Sequence, residues 1–249
     1  VSIGIFTACI VFPVSILLDG SLTKIERDRI FVIYIIAFFV IFFWAAYEQA
    51  GALLTLFAAE QTDRTILGWE MPASWIQSFN PFFVVILAAI MPSVWGALNK
   101  RGMEPASPTK QAIGLLLLSL GYLVICFGVK DVQPGVKVSL IWLTGLYFIH
   151  TMGEIALSPI GLSMVNKLTP VRFASLMMGI WYLSTSTANK FAGTLGGLYP
   201  EDGKVKTLLG FRIETMFDFF MVFVIMSGVA SLILFLLSKK LQKMMHGVE

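Results

Sequence analysis

The fold class that this sequence predicts is all-α and integral to a membrane, and three observations predict it. Apolar residues fill 57% of the 249 positions and charged residues only 13%, with a mean hydropathy of +0.83, whereas a soluble domain carries about a quarter charged residues. The apolar residues gather into seven runs of about twenty residues or more, the length that a helix needs to cross the hydrocarbon core. These runs lack the two-residue alternation of barrel strands, and in lipid only helices and closed barrels satisfy their own backbone.

Segment one, near 1–18, holds Cys9 and no charge. It lacks a charged first region and a small-residue cleavage site, so it does not read as a signal peptide. The sequence starts in mid-run without an initiator methionine, and more chain is expected upstream. The polar stretch from Asp19 to Arg29 then links to segment two, near 30–59. Segment three, near 73–98, follows the connection from Glu60 to Pro72 and contains Trp75-Ile76-Gln77-Ser78-Phe79-Asn80-Pro81. Asn80-Pro81 frees the carbonyl of Gln77 and is expected to bend that helix. Asn80 can serve as glue between helices or as a partner for a ligand amide, and spacing alone leaves both open.

Segment four, near 111–129, lies between the connections Asn99 to Lys110 and Lys130 to Lys137, and it holds Cys126. Neither cysteine has the spacing or position of a disulfide or metal site, and both read as small core residues. Segment five, near 138–166, and segment six, near 170–198, are separated only by the turn Lys167-Leu168-Thr169. Segment seven, near 212–238, follows the connection Tyr199 to Phe211. No connection is long enough for a second soluble domain.

Charge sets the expected orientation. If residue 1 starts outside, the cytoplasmic connections hold Lys24, Arg27, Arg29, Lys100, Arg101, Lys110, Lys167, Arg172, Lys239, Lys240 and Lys243. The external ones hold Arg64, Lys130, Lys137, Lys204, Lys206 and Arg212. The excess of positive charge therefore places the carboxy terminus in the cytoplasm. A formal net charge of +3 is small, and a nucleic-acid partner is not expected.

Polar residues inside the spans are the functional candidates, because a charge at the bilayer centre costs several kcal/mol. Glu48 lies roughly 27 Å along segment two, counting about 1.5 Å per residue, and one helical turn from Trp44, so the two are expected to point together into a cavity. Glu154 falls near the middle of segment five, in Gly153-Glu154-Ile155-Ala156-Leu157-Ser158-Pro159. Ser158 shares its face, and Pro159 gives no N–H to the carbonyl of Ile155, so an acid, a hydroxyl and a freed carbonyl cluster within one turn. The plainer reading of either acid is a structural carboxylate paired with a basic residue on a neighbouring helix. Two such acids, each beside a polar or aromatic group, favour function.

Trp181 lies about eleven residues inside segment six, deeper than an interfacial tryptophan, and it precedes Ser184, Thr185, Ser186, Thr187, Asn189 and Lys190. Snorkelling toward the external interface explains Lys190; a retinal-type Schiff base is the sharper alternative and has no other support. No phosphate-binding loop, dinucleotide glycine motif, H-E-x-x-H or C-x-x-C occurs. Neither an enzyme nor a cofactor is therefore expected, and an ion gradient is the economical energy source.

The motifs then resemble those of the proton-dependent oligopeptide transporters of the major facilitator superfamily. The resemblance rests on Phe43-Trp44-Ala45-Ala46-Tyr47-Glu48-Gln49, on the run from Trp75 to Pro81, on Gly96-Ala97-Leu98-Asn99-Lys100-Arg101-Gly102, on the run from Gly153 to Pro159, and on Asn189-Lys190-Phe191-Ala192-Gly193. These come in the family's order and cover almost the whole chain from residue 38 onward. The resemblance implies a six-helix carboxy-terminal bundle over 30–249. An extra inter-bundle transmembrane helix over 1–18 and a cytoplasmic linker over 19–29 precede it.

It further implies a bacterial inner-membrane transporter of di- and tripeptides with protons as coupling ion, and an amino-terminal six-helix bundle as partner. Glu154 resembles the acid that meets the peptide amino terminus, and Asn80 a partner of the peptide backbone. Ser158 joins them in the site, and Trp44 and Trp181 resemble walls of side-chain pockets. Glu48 resembles the acid that pairs with a basic residue of the first helix during proton coupling, with Glu154 also involved. The family's E-x-x-E-R motif is absent from this chain.

Two other readings stay open. A transporter of the same fold for nitrate or a glycoside is one, although Glu154 with Ser158 favours a ligand amine. A seven-helix receptor is the other, and the photoreceptor form needs a lysine midway along the last helix, whereas segment seven has none between Arg212 and Lys239.

Overall fold

The computed structural model describes the chain except Val1, Ala52, Asp131, Gln133, Pro134, 201–204 and Glu249. Lys204, counted among the external charges, therefore lies outside the described residues, as do the first residue of segment one and parts of the connections 130–137 and 199–211.

Every apolar segment contains a helix. These are α1 (Ser2–Leu17), α2 (Lys24–Tyr47), α3 (Leu53–Gln61), α4 (Phe79–Lys100), α5 (Ser107–Val129), α6 (Leu140–Leu168), α7 (Ala174–Gly196) and α8 (Met216–Met244). Among the described residues, five helical stretches are long and apolar enough to cross a membrane: Lys24–Gln61, Ala73–Lys100, Ser107–Val129, Leu140–Leu168 and Met216–Met244. The helix α1 has 16 residues, and α7 carries the polar run from Ser184 to Lys190; neither is among the five.

Segment two begins earlier than its apolar run and is not one uniform helix. Its start is set by a capping box, in which the Thr23 hydroxyl accepts the Glu26 N–H at 3.2 Å and the Glu26 carboxylate accepts the Thr23 N–H at 2.8 Å. Two orphan donors are satisfied at once, so residues 24–29 form helical turns rather than a linker. At the other end, Glu48–Gly51 tightens into a 3-10 turn between α2 and α3. Side chains take the carbonyls around that turn. The Tyr122 hydroxyl donates to Ala46 O at 2.6 Å, the Tyr147 hydroxyl to Ala50 O at 3.3 Å, Gln77 Nε2 to Gly51 O at 3.2 Å, and Gln49 Nε2 to Ala45 O at 2.8 Å. The interruption costs little because its polar backbone is satisfied.

Segment three also differs from expectation. A 3-10 turn over Ala73–Ser78 precedes α4, which starts at Phe79. Pro81 therefore falls in the first helical turn, where a missing N–H breaks no helical bond, and the proline marks a helix start instead of a mid-helix bend.

α5 is the central helix of the bundle and packs against α6 and α8; α2 packs against α7 and α8, α4 against α6, and α1 against α7. The approach of α5 to α6 needs glycine. A Cβ on Gly114 would lie 2.8 Å from Leu157 Cβ, one on Gly128 would lie 2.5 Å from Trp142 Cγ, and one on Gly121 would overlap the His150 ring. Seven-residue spacing keeps all three on one stripe, and small residues let the backbones close in lipid. Beside it lies an aromatic core of Tyr122, Phe57, Phe219, Phe220 and Phe223, all buried, with Tyr122 stacked on Phe223 at 4.8 Å.

The ends of the bundle sort the connections into two groups. At one end Arg29 Nε donates to Met245 O at 3.1 Å, His246 Nε2 meets Asp28 at 2.8 Å, and Arg172 pairs with Glu26 at 3.1 Å. At the other, Thr62–Asp63 pairs in parallel with Val138–Ser139, and the Tyr199 hydroxyl donates to Glu60 at 3.5 Å. Asp63 accepts the Thr65 N–H at 3.0 Å, which holds its carboxyl below the usual range. Two short hairpins also occupy this end, Thr65–Ile66 with Trp69–Glu70 and Lys206–Leu208 with Phe211–Ile213.

Candidate functional site

The site forms where α2, α4 and α6 meet, around the carboxylate of Glu154. The helix α6 runs through Pro159 without interruption, and this keeps Glu154 inside a membrane-spanning stretch instead of at a helix end. Tyr47, the last residue of α2, donates its hydroxyl to Glu154 Oε2 at 2.5 Å. Asn80, in the first turn of α4, donates Nδ2 to the same oxygen at 2.9 Å, to the Tyr47 hydroxyl, and to Thr151 Oγ1 at 3.2 Å. Thr151 in turn donates to Tyr147 O at 2.7 Å. Hydrogen bonds to an ionised acceptor are about twice as strong as neutral ones, and three helices are thereby joined at one carboxylate.

Asn80 and Glu154 are thus brought together, as two faces of one hydrogen-bonded set. Ser158 lies one turn beyond Glu154 on α6, half-buried and outside that set. Trp44 reaches the set through Tyr47, against which it packs edge-on with ring centres 5.4 Å apart. Glu48 opens the 3-10 turn and is exposed. It directly follows Tyr47, the donor to Glu154 Oε2. Glu48 keeps a helical φ of −65° and its N–H donates to Trp44 O, so it stands one turn past Trp44 on the same face, as the spacing predicts.

Trp181 is not part of this cluster. It is 5% exposed and lies in a notch over Gly161, where a Cβ would come 2.5 Å from its Cζ2 and 3.1 Å from Gln111 Nε2. Gly161 is seven residues past Glu154, or about two turns and roughly 10 Å along the helix. Gln111 Nε2 also donates to Leu157 O at 2.8 Å beside Pro159. Lys190 is exposed and makes no ion pair among the described residues.

Sequence reasoning missed Tyr47, Thr151 and His150. His150 is buried, contacts Leu118 O through Nε2 at 3.1 Å and lies 4.7 Å from the Tyr122 ring. Thr151 and His150 stand three and four residues before Glu154, so helical spacing put both on its face. Tyr47 carried no such signal, because one residue before Glu48 a regular helix turns it to another face.

The electrostatics of the cluster are one-sided. The site holds the carboxylate of Glu154 and, next in sequence to its donor Tyr47, that of Glu48, and no lysine or arginine among the described residues pairs with either. Both hydrogen bonds to Glu154 end on Oε2, so Oε1 takes none from the described residues. Such a site accepts a cation: a proton, an ammonium group or a basic side chain from another part of a larger assembly.

Comparison with known proteins places the chain in a family. A family model described as the POT family matches residues 8–209. The chain is 36% identical over 185 residues to the peptide transporter YePEPT of Yersinia enterocolitica subsp. palearctica serotype O:3 (strain YE-P4), which covers 74% of this chain and 36% of that protein. It is 30% identical over 218 residues to dipeptide and tripeptide permease A of Escherichia coli (strain K12), covering 88% and 43%. Among solved structures, peptide transporter POT in complex with sulfate superposes with a TM-score of 0.86 at 29% identity, over 98% of this chain and 47% of that one. A POT family transporter in complex with 5-aminolevulinic acid gives 0.80 at 26% identity, over 95% and 46%. The chain spans less than half the length of these relatives.

Proposed function

The chain belongs to the POT family of multi-pass membrane transporters, and we propose that it forms the carboxy-terminal half of a proton-coupled di- and tripeptide symporter working by alternating access. The observation that carries this reading is the Glu154 carboxylate, whose Oε1 takes no hydrogen bond and which pairs with no lysine or arginine among the described residues. A zwitterionic peptide brings an ammonium group, which Glu154 Oε1 accepts, while Glu48 takes up and releases the coupling proton. Relatives support the amine: two are a dipeptide and tripeptide permease and a transporter holding 5-aminolevulinic acid.

In this reading Asn80 contacts the peptide backbone, Ser158 adds a hydroxyl one turn from Glu154, and Trp44 walls a side-chain pocket. Trp181 reaches a pocket only when α6 and α7 separate enough to free its ring from the notch over Gly161. Rocking of one bundle against the other supplies such a motion. An amino-terminal bundle provides the cations that face Glu48 and Glu154, lipid surrounds both halves, and the protein lies in a bacterial inner membrane with its carboxy terminus in the cytoplasm. Nitrate would need a positive site, and two acids disfavour it.

Dipeptide uptake by the full-length transporter in liposomes tests the assignment. Glu154→Gln keeps the shape of the side chain and removes its charge, so uptake of dialanine is expected to fall at least tenfold. Wild-type uptake in that variant would sink the proposed site.

A further inference from the structure

We propose that Tyr47 is a positioning residue for Glu154, holding one carboxylate oxygen so that the other faces the amino group of a bound peptide, and tying that carboxylate to the helix end that carries Glu48. The assignment rests on Glu154 as the acceptor of the peptide amine.

Three tyrosine hydroxyls converge on the end of α2, and they do different things. Those of Tyr122 and Tyr147 donate to the carbonyls of Ala46 and Ala50, which serves the backbone of the 3-10 turn. Tyr47 alone donates to a carboxylate, Glu154 Oε2, at 2.5 Å. Its ring has little freedom. It stacks on Phe43 with centres 5.5 Å apart and planes at 17°, meets Trp44 edge-on at 5.4 Å, and lies 6.2 Å from the His150 ring. The position of the hydroxyl is therefore set by α2 and not by a mobile side chain. Asn80 donates to both Tyr47 and Oε2, so the carboxylate is fixed from two helices.

The consequence is an oriented acceptor. With Oε2 occupied by two donors, the carboxylate cannot rotate to place its second oxygen elsewhere without breaking charge-assisted hydrogen bonds. The ammonium of a peptide then meets Oε1 in a preset direction, and preorganisation of this kind raises affinity by lowering the cost of ordering the site. Tyr47 is also bonded directly to Glu48, the first residue of the 3-10 turn. One side-chain hydrogen bond and one step along the chain therefore separate the carboxylate that meets the substrate from the residue that carries the proton.

The test uses the purified full-length transporter and two ligands, dialanine and N-acetyl-dialanine, with dissociation constants measured for each. Tyr47→Phe keeps the ring and its stacking and removes only the donor. It is expected to weaken dialanine about tenfold, the order of one hydrogen bond to a charged group, and to change N-acetyl-dialanine less than twofold. Equal weakening of both ligands assigns Tyr47 a packing role and overturns the proposal, as does no change in either. Glu154→Gln provides the separate check. If it retains the preference for a free amine, the reading of Glu154 fails first. If it loses that preference while Tyr47→Phe keeps it, the Tyr47 assignment alone falls.

Discussion

At Glu154 the chemistry turns on which oxygen is occupied, and that distinction lies below what a sequence shows. A glutamate inside an apolar run was legible because lipid makes its charge costly, and the same logic singled out Glu48. Tyr47 was not, since a tyrosine among Phe42, Phe43, Trp44 and Ala45 reads as one more apolar neighbour until the helix end and the facing helices are known. Trp181 shows the converse. Its depth in segment six was legible, but its burial depends on the missing side chain of Gly161 on another helix. Gly161→Ala is therefore expected to force the indole from its notch and to destabilise the protein by about 1–3 kcal/mol, the usual cost of overpacking. A drop in the thermal unfolding midpoint of the purified protein checks this; an unchanged midpoint would mean that α7 gives way freely.

Elements were legible where one period dominated. The apolar runs placed the helices, and Thr23 with Glu26 held the signature of the α2 start, hidden by the charges around it. The hairpins at the far end of the bundle were not legible, because their turns contradict local preference. Ile66-Leu67-Gly68-Trp69 and Leu208-Leu209-Gly210-Phe211 both turn at Leu-Gly, with Leu67 and Leu209 at φ 49° and glycine following at φ 82° and 88°. Two-residue hairpin turns with positive φ at both positions favour Asn-Gly, and a left-handed leucine costs about 1–2 kcal/mol. Leu67→Asn is expected to stabilise the protein by about 1 kcal/mol, read as a higher unfolding midpoint in detergent. A lower midpoint would show that the exposed Leu67 side chain gains more from its surroundings than its backbone loses.

For the molecule as a whole, Glu48 and Glu154 pair with no lysine or arginine among the described residues, and the chain covers less than half of each relative compared above. Both facts follow if a second bundle completes the site. Composition and motif order made the membrane class and the family legible from residue 38 onward, whereas the join between α2 and α3 required the side chains of α5 and α6 that cap it.

The central claim is that Glu48 carries the proton and Glu154 holds the peptide. The direct measurement is dialanine movement in liposomes containing the full-length transporter, once under an inward proton gradient and once as exchange without a gradient. Glu48→Gln should retain exchange and lose gradient-driven accumulation, because a neutral amide still permits the conformational cycle but carries no proton. Accumulation by Glu48→Gln at the wild-type rate under the gradient would contradict the claim.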